Sequence, residues 1–211
     1  MQVKLRLLSL KSLSSLATRR AAYGCQAKWL KLPSTPTREF PLSRCCPSCG
    51  ACTRAACKPV ATAPLVDAAA ASVVASGSTI KAHGKKPLAR VVAVAAVGVP
   101  PEILGIGPAP AIRLLLERCG LKLDDIGCFE INEAQGAQTL AVAKELGLDI
   151  EKLNVNGGAI ALGHPLAATG VRLTLTLARQ MHLNSVRYGI SSACVGGGQG
   201  IALLLENPQS S

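Results

Sequence analysis

From residue 90 to residue 206 the apolar residues fall in short blocks that switch between two spacings, and this switching limits the fold more than any other feature. Pro108–Cys119 carries Ile112, Leu115, Leu116 and Cys119 at i, i+3, i+4 and i+7, one stripe of a helix that Gly120 should end. Residues 133–146, closed by Gly147, and residues 168–181 are two further helix candidates. Residues 90–97 are Val-rich and predict a strand, as do 126–131, 153–156, 186–194 and 200–206. The small-residue run 68–75 suits either a close-packed helix or a strand. Strands and helices alternating over short links, then a hairpin across residues 195–199, predict a layered α/β unit: a mixed sheet with helices on its faces. Aromatics make up only 2% of the chain, so Ala, Val, Leu and Ile must fill its core. The longest clean apolar stretch, residues 91–99, stops at Pro100-Pro101, too short for a membrane span.

The first third has a different texture. Residues 1–66 hold eleven Lys/Arg against the single acid Glu39, a net of +10, whereas residues 67–211 come to +1. The chain's charge of +11 therefore belongs to the N-terminal segment, and with so few aromatics a nucleic-acid reader is not expected. Residues 1–24 contain no acid and place Leu5, Leu8, Lys11 and Leu16 as in a basic amphipathic helix, the composition of a mitochondrial transit peptide. A disordered basic tail is the alternative. Residues 25–65 are irregular and rich in Pro and Cys; the patterned domain runs from 66 to 207, and 208–211 is a tail. Cys46-x-x-Cys49-x-x-Cys52 has the look of a metal motif, but the nearest following histidine is His83, and no metal is expected. With nine cysteines and no secretory signal, the thiols are expected to be reduced in an intracellular compartment.

Three segments carry residues suited to chemistry. In residues 154–170 (NVNGGAIALGHPLAATG), His164 stands in a Gly-His-Pro link before a helix, where the positive helix end disfavours imidazolium and favours developing negative charge. Its alternative is a structural histidine that caps a carbonyl. In residues 192–200 (SACVGGGQG), Cys194 ends a strand before three glycines, whose N–H groups could draw the thiol toward thiolate. Its alternative is a buried strand cysteine beside a tight hairpin. In residues 130–138 (EINEAQGAQ), Asn132 and Glu133 stand at a strand-to-helix corner, where Asn132 would cap the helix or hold a water or substrate carbonyl through its amide. The glycine run lies between two strands, whereas a dinucleotide loop needs strand then helix.

Taken in order, NEA, NVNGGAIALGHP and CxGGGQG resemble the C-terminal half of the thiolase family, and Lys86–Arg90 (KPLAR) and residues 103–108 (ILGIGP) extend the likeness from about Asp67 to Glu206. The pattern is most similar to 3-ketoacyl-CoA thiolases of fatty-acid β-oxidation, with acetoacetyl-CoA thiolases close behind. The resemblance implies the thiolase layered fold and an acetyl-CoA C-acyltransferase that cleaves a 3-ketoacyl-CoA with coenzyme A. Coenzyme A would be a substrate, with no permanently bound cofactor. His164 would activate the acylated cysteine and help bind the thioester oxygen. Cys194 would move the proton at the acetyl α-carbon. Asn132 would position a water in one oxyanion hole, and the Gly196 N–H would help form the other.

Gln135 stands where the family usually has Phe, Ala167 where it has Gly, and 66–69 (VDAA) where it has an Asp-Gly-Ala turn. Nothing in residues 1–65 resembles the family's nucleophile segment, and the coenzyme A-binding loop insertion has no counterpart. The expectation is a truncated thiolase-family polypeptide with little activity alone, acting as a homo-oligomer or paired with a full-length thiolase. An inactive half-thiolase that modulates such a partner is the alternative. The N-terminal segment points to the mitochondrial matrix, with peroxisome or cytosol as alternatives.

Overall fold

The computed structural model describes the backbone of residues 5–8 and the whole of residues 62–210. Cys46, Cys49 and Cys52, and most of the expected transit peptide, lie outside the described residues. The strands are β1 (Leu5–Leu8), β2 (Val73–Ser76), β3 (Ala89–Gly98), β4 (Cys128–Ile131), β5 (Tyr188–Val195) and β6 (Gln199–Glu206). The helices are α1 (Gly77–Ala82), α2 (Pro108–Cys119), α3 (Gly136–Leu146), α4 (Ala159–Leu162) and α5 (Thr169–Leu183). The six strands form one sheet in the order β2-β1-β3-β6-β5-β4. Only β4 and β5 run parallel; the other neighbours are antiparallel, with a bulge in β3 between Val91 and Ala93.

The expected mixed α/β sheet with helices on its faces is what the chain forms. Neighbouring strand residues point to opposite faces, and the core divides accordingly. Phe129 and Leu204 pack with Ile112, Leu115 and Val142 from α2 and α3. Their neighbours Cys128 and Leu205 pack with Leu177, Ala178 and Met181 from α5. The α2 stripe is fully buried at Ile112 and Leu115, each contributing about 1.5–3 kcal/mol by leaving water. Gly107 and Gly200 let the start of α2 lie directly on β6: a Cβ on either would overlap the other's backbone.

Helix α2 has the bounds its spacing predicts, and Gly120 closes it with a left-handed φ of 63°. Elsewhere tertiary contacts override local pattern. The helix expected from 133 starts at Gly136, because Glu133 is bonded elsewhere and the backbone of 134–135 pairs with 62–63. Gln135, not Asn132, is its N-cap. The strand expected at 153–156 shrinks to one bridge between Leu153 and Phe129. Asn154 then turns to φ 46° and uses its side chain in place of a strand, accepting the Ile131 N–H at 2.8 Å and donating to the Ile131 carbonyl at 2.9 Å. Of the 68–75 run only residues 73–75 are extended in a ladder, as part of Val73–Ser76. Leu5–Leu8, expected within a basic helix, pairs as a strand between β2 and β3. Among the described residues, no helix is long and apolar enough to cross a membrane.

Candidate active site

The carboxyl ends of the parallel pair β4 and β5 lie side by side, with Ile131 opposite Ser192. Asn132 follows directly and donates its backbone N–H to the Ser192 carbonyl at 2.9 Å. Two residues on, Cys194 sits across the hairpin from Gly200, and Gly196 opens the turn beyond β5. This is the end of a parallel pair where α/β sheets commonly hold ligands. Asn132 is 2% exposed, and its Oδ1 has no hydrogen-bond partner among the described residues. A buried amide oxygen left in that state is a natural acceptor for a water. Gly196 is exposed, and a Cβ added to it would meet nothing within 4 Å, so the space above the turn is open.

The loop that carries His164 is fastened to this end of the sheet. Asn154 grips Ile131 as described and also donates to Glu133 Oε1 at 2.9 Å. The other Glu133 oxygen accepts the Ile160 N–H at 3.0 Å, in the first turn of the short helix α4. Gly158 makes that contact possible, since a Cβ there would overlap the Glu133 carboxylate. Helix α4 ends at Gly163, and the His164 N–H donates to the Pro64 carbonyl at 2.8 Å. The imidazole Nδ1 lies 2.7 Å from Thr169 Oγ1 at the start of α5. No hydrogen bond joins His164 to Cys194 among the described residues.

The electrostatics of the site follow from burial. His164 is pushed below its ordinary value, first by burial and then by the Arg172 cation. Burial pushes the Cys194 thiol up, opposed only in part by its own backbone N–H. The expected pull of the glycine-turn N–H groups toward thiolate does not enter this balance, and burial favours the thiol. Behind the loop lies a set of charges. Glu130 is 1% exposed and Arg172 5% exposed, and neither side chain makes a hydrogen bond among the described residues. Burial lifts Glu130 to about 8, against the pull of Arg172 and with a push from Glu133. Among the described residues no group of His, Cys, Asp and Glu is placed to hold a metal.

Sequence patterns singled out His164, Cys194, Asn132 and Gly196. They did not reveal Asn154, Thr169, Glu130 or Arg172, nor what Glu133 does. A signal was available for Arg172: it falls on the buried stripe of α5 with Thr169, Leu173 and Leu177. Glu130 likewise sits in a strand that is buried along its whole length.

Residues 85–207 match the family described as thiolase, C-terminal domain. The chain is 50% identical over 141 residues to a mitochondrial 3-ketoacyl-CoA thiolase of Bos taurus, a match covering 67% of this chain and 36% of that protein. It is 51% identical over 140 residues to an acetyl-CoA acetyltransferase of Escherichia coli, covering 66% of this chain and 36% of that one. The crystal structure of human mitochondrial 3-ketoacyl-CoA thiolase superposes with a TM-score of 0.69 at 46% identity, over 70% of this chain and 38% of that chain. The same human enzyme has been solved in complex with CoA. The chain spans little more than a third of the length of the curated relatives it matches. Through the domain that its sheet and helices build, the chain belongs to the thiolase family.

Proposed function

We propose that the chain is a thiolase-family acyltransferase polypeptide of the fatty-acid β-oxidation type, supplying the acid–base and oxyanion groups that split a 3-ketoacyl-CoA with coenzyme A. The observation that carries this is the tethering of the His164 loop, through Asn154 and Glu133, to the strand end that also bears Asn132 and adjoins Cys194. A base, a proton donor and oxyanion groups gathered at one end of a sheet suit enolate chemistry beside a thioester.

In this reading, His164 takes the proton of the attacking cysteine thiol, and its new N–H then faces the thioester oxygen. The thiolate bonds to C3 as the C2–C3 bond breaks, so the acyl group stays as a thioester on that sulfur until coenzyme A takes it. The electron pair goes to the acetyl-CoA enolate, and the Cys194 thiol delivers its proton to the α-carbon. A thiol held protonated by burial is suited to that delivery. The orphan Oδ1 of Asn132 would hold a water that donates to a substrate oxygen, and the Gly196 N–H would serve the second oxyanion position. The cysteine to be acylated is not among these residues, so the polypeptide alone should perform little thiolysis. A mitochondrial matrix location fits the basic N-terminal composition and the mitochondrial relatives.

The test has two parts. Purified chain incubated with acetoacetyl-CoA and coenzyme A should give little or no cleavage. Acetyl-CoA incubated with it in D2O should exchange methyl protons, and Cys194→Ala should abolish the exchange. Robust thiolysis lost in Cys194→Ala would overturn the claim that the acylated cysteine is lacking. Absence of exchange would overturn the role of Cys194.

A second reading is an inactive half-thiolase that pairs with a full-length thiolase. It is favoured by the apolar side chains exposed near the site: Leu65 and Leu166 are 75% and 71% exposed, and Val195 is also exposed. Size-exclusion chromatography with and without a full-length thiolase tests it; two species that elute independently would count against it.

A further inference from the structure

Thr169 Oγ1 lies 2.7 Å from His164 Nδ1 and 3.0 Å from the Pro165 carbonyl oxygen. A hydroxyl has one hydrogen and a carbonyl can only accept. If the hydrogen goes to Pro165, the hydroxyl must accept from His164, and Nδ1 carries the imidazole proton. Nε2 is then left with its lone pair.

One helical turn further along α5 is Arg172. Thr169 and Arg172 stand at i and i+3 and are both buried, so they share a face of the helix. None of the three guanidinium nitrogens has a hydrogen-bond partner among the described residues, and neither has either oxygen of Glu130. Glu133 spends its carboxylate on Asn154 and Ile160. A buried ion pair present only for the fold is expected to close its direct bonds, because open ones leave both desolvation costs uncompensated. Here the cation is buried beside two carboxyls and locked to neither.

The charged groups that act on Arg172 of α5 are Glu130 from β4 and Glu133 from the corner after it. Residues 62–66 bring the Pro64 carbonyl to the His164 N–H and the Val66 side chain against Gly163. Of these groups, Arg172 is the one whose charge bears on the imidazole.

We propose that Arg172 is a positioning residue for His164: from the turn after Thr169, its buried guanidinium acts with the Thr169 hydroxyl to present a neutral imidazole with Nδ1–H on Thr169 and Nε2 open. When Nε2 takes a thiol proton, the S–H bond breaks, an N–H bond forms, and thiolate and imidazolium result. The nearby cation disfavours that imidazolium, so its Nε2 proton is readily offered to the thioester oxygen it faces. This assignment rests on His164 being the base in the proposed function. Its test does not depend on catalysis, so the two can fail separately.

The chain has three histidines, His83, His164 and His182, so each ring can be assigned by single His→Gln changes and followed by 15N and 13C NMR titration of the full chain. Arg172→Met should raise the His164 midpoint, because it removes the charge that disfavours imidazolium, and Arg172→Lys, which keeps the cation, should restore it. The unaltered chain should show the Nδ1–H tautomer at His164, and Thr169→Val should release it to a mixture. An unchanged His164 midpoint in folded Arg172→Met would overturn the proposal. So would an Nε2–H tautomer in the unaltered chain, a measurement that decides the matter even if Arg172→Met does not fold.

Discussion

Glu133 accepts the Ile160 N–H at 3.0 Å, joining the corner after β4 to the first turn of the helix that leads into His164. The carboxylate also holds Asn154 and is almost fully buried. Truncating it would strand one buried donor, the Asn154 amide, at about 1–3 kcal/mol, and one part-buried donor, the Ile160 N–H, at less. Glu133→Ala should therefore speed amide hydrogen exchange across residues 154–164 while leaving α2 protected. Glu133→Gln, which keeps one acceptor oxygen, should lose less. Equal protection of the loop in Glu133→Ala and the unaltered chain would refute the tether.

Gly158→Ala should reproduce that loosening from the other side. The new Cβ must push the Glu133 carboxylate off its seat, since the space it needs is already filled. The two substitutions break the same contact, so the Glu133→Ala/Gly158→Ala double variant should be less destabilised than the sum of the singles. Additive losses in urea melts would show that the glycine matters for another reason.

The N-terminal strand makes a separate claim. β2 has β1 as its partner in the sheet, and β1 reaches β3 through Arg6–Arg90 and Leu7–Ala89. Deleting residues 1–8 should leave Val74 and Ala75 without a ladder. Whichever of the two amides faces β1 should then exchange about tenfold faster, the equivalent of about 1.4 kcal/mol, while Leu204 in the central β6 stays protected. Unchanged exchange at β2 would mean that β1 does not hold it.

Local periodicity carried most of the fold and little of what surrounds the site. The α2 stripe and the Gly120 stop are properties of neighbouring residues, so they are visible without the fold. Asn154 is different: it replaces a strand with a side chain, and its partner Ile131 is twenty-three residues away. Glu133 looked like part of a helix because its neighbours have helical spacing, yet its carboxylate serves residues 154 and 160. Thr169 was simply the first polar residue of a helix until the imidazole stood beside it. Such roles depend on which loop returns to which strand, and no window of adjacent residues contains that.

Burial raises the Cys194 thiol above the usual 9.0 and lifts Cys128 to about 12, with burial first and Glu130 second in the latter case. The thiolate is the reactive form. Folded protein treated with iodoacetamide near neutral pH should be alkylated slowly at Cys194, and faster as the pH passes 9. Cys128 should remain unmodified throughout. Peptide mass spectrometry reads both, and rapid labelling of Cys194 at neutral pH would mean that a donor outweighs its burial.

Glu130 gives the chain a pH dependence of definite sign. Its carboxyl is lifted from the usual 4.5 to about 8 in the folded state, by burial first, with Arg172 opposing and Glu133 assisting. Between those values the folded chain holds a proton at Glu130 that the unfolded chain has released. Stability contributed by this group must therefore fall as pH rises from about 4.5 to about 8, and level off outside that window. Glu130→Gln mimics the protonated carboxyl and should remove that part of the slope. Urea melts at several pH values in the window would measure it. A variant whose stability falls with pH as steeply as the unaltered chain's would show that Glu130 is already ionised, with Arg172 compensating the charge.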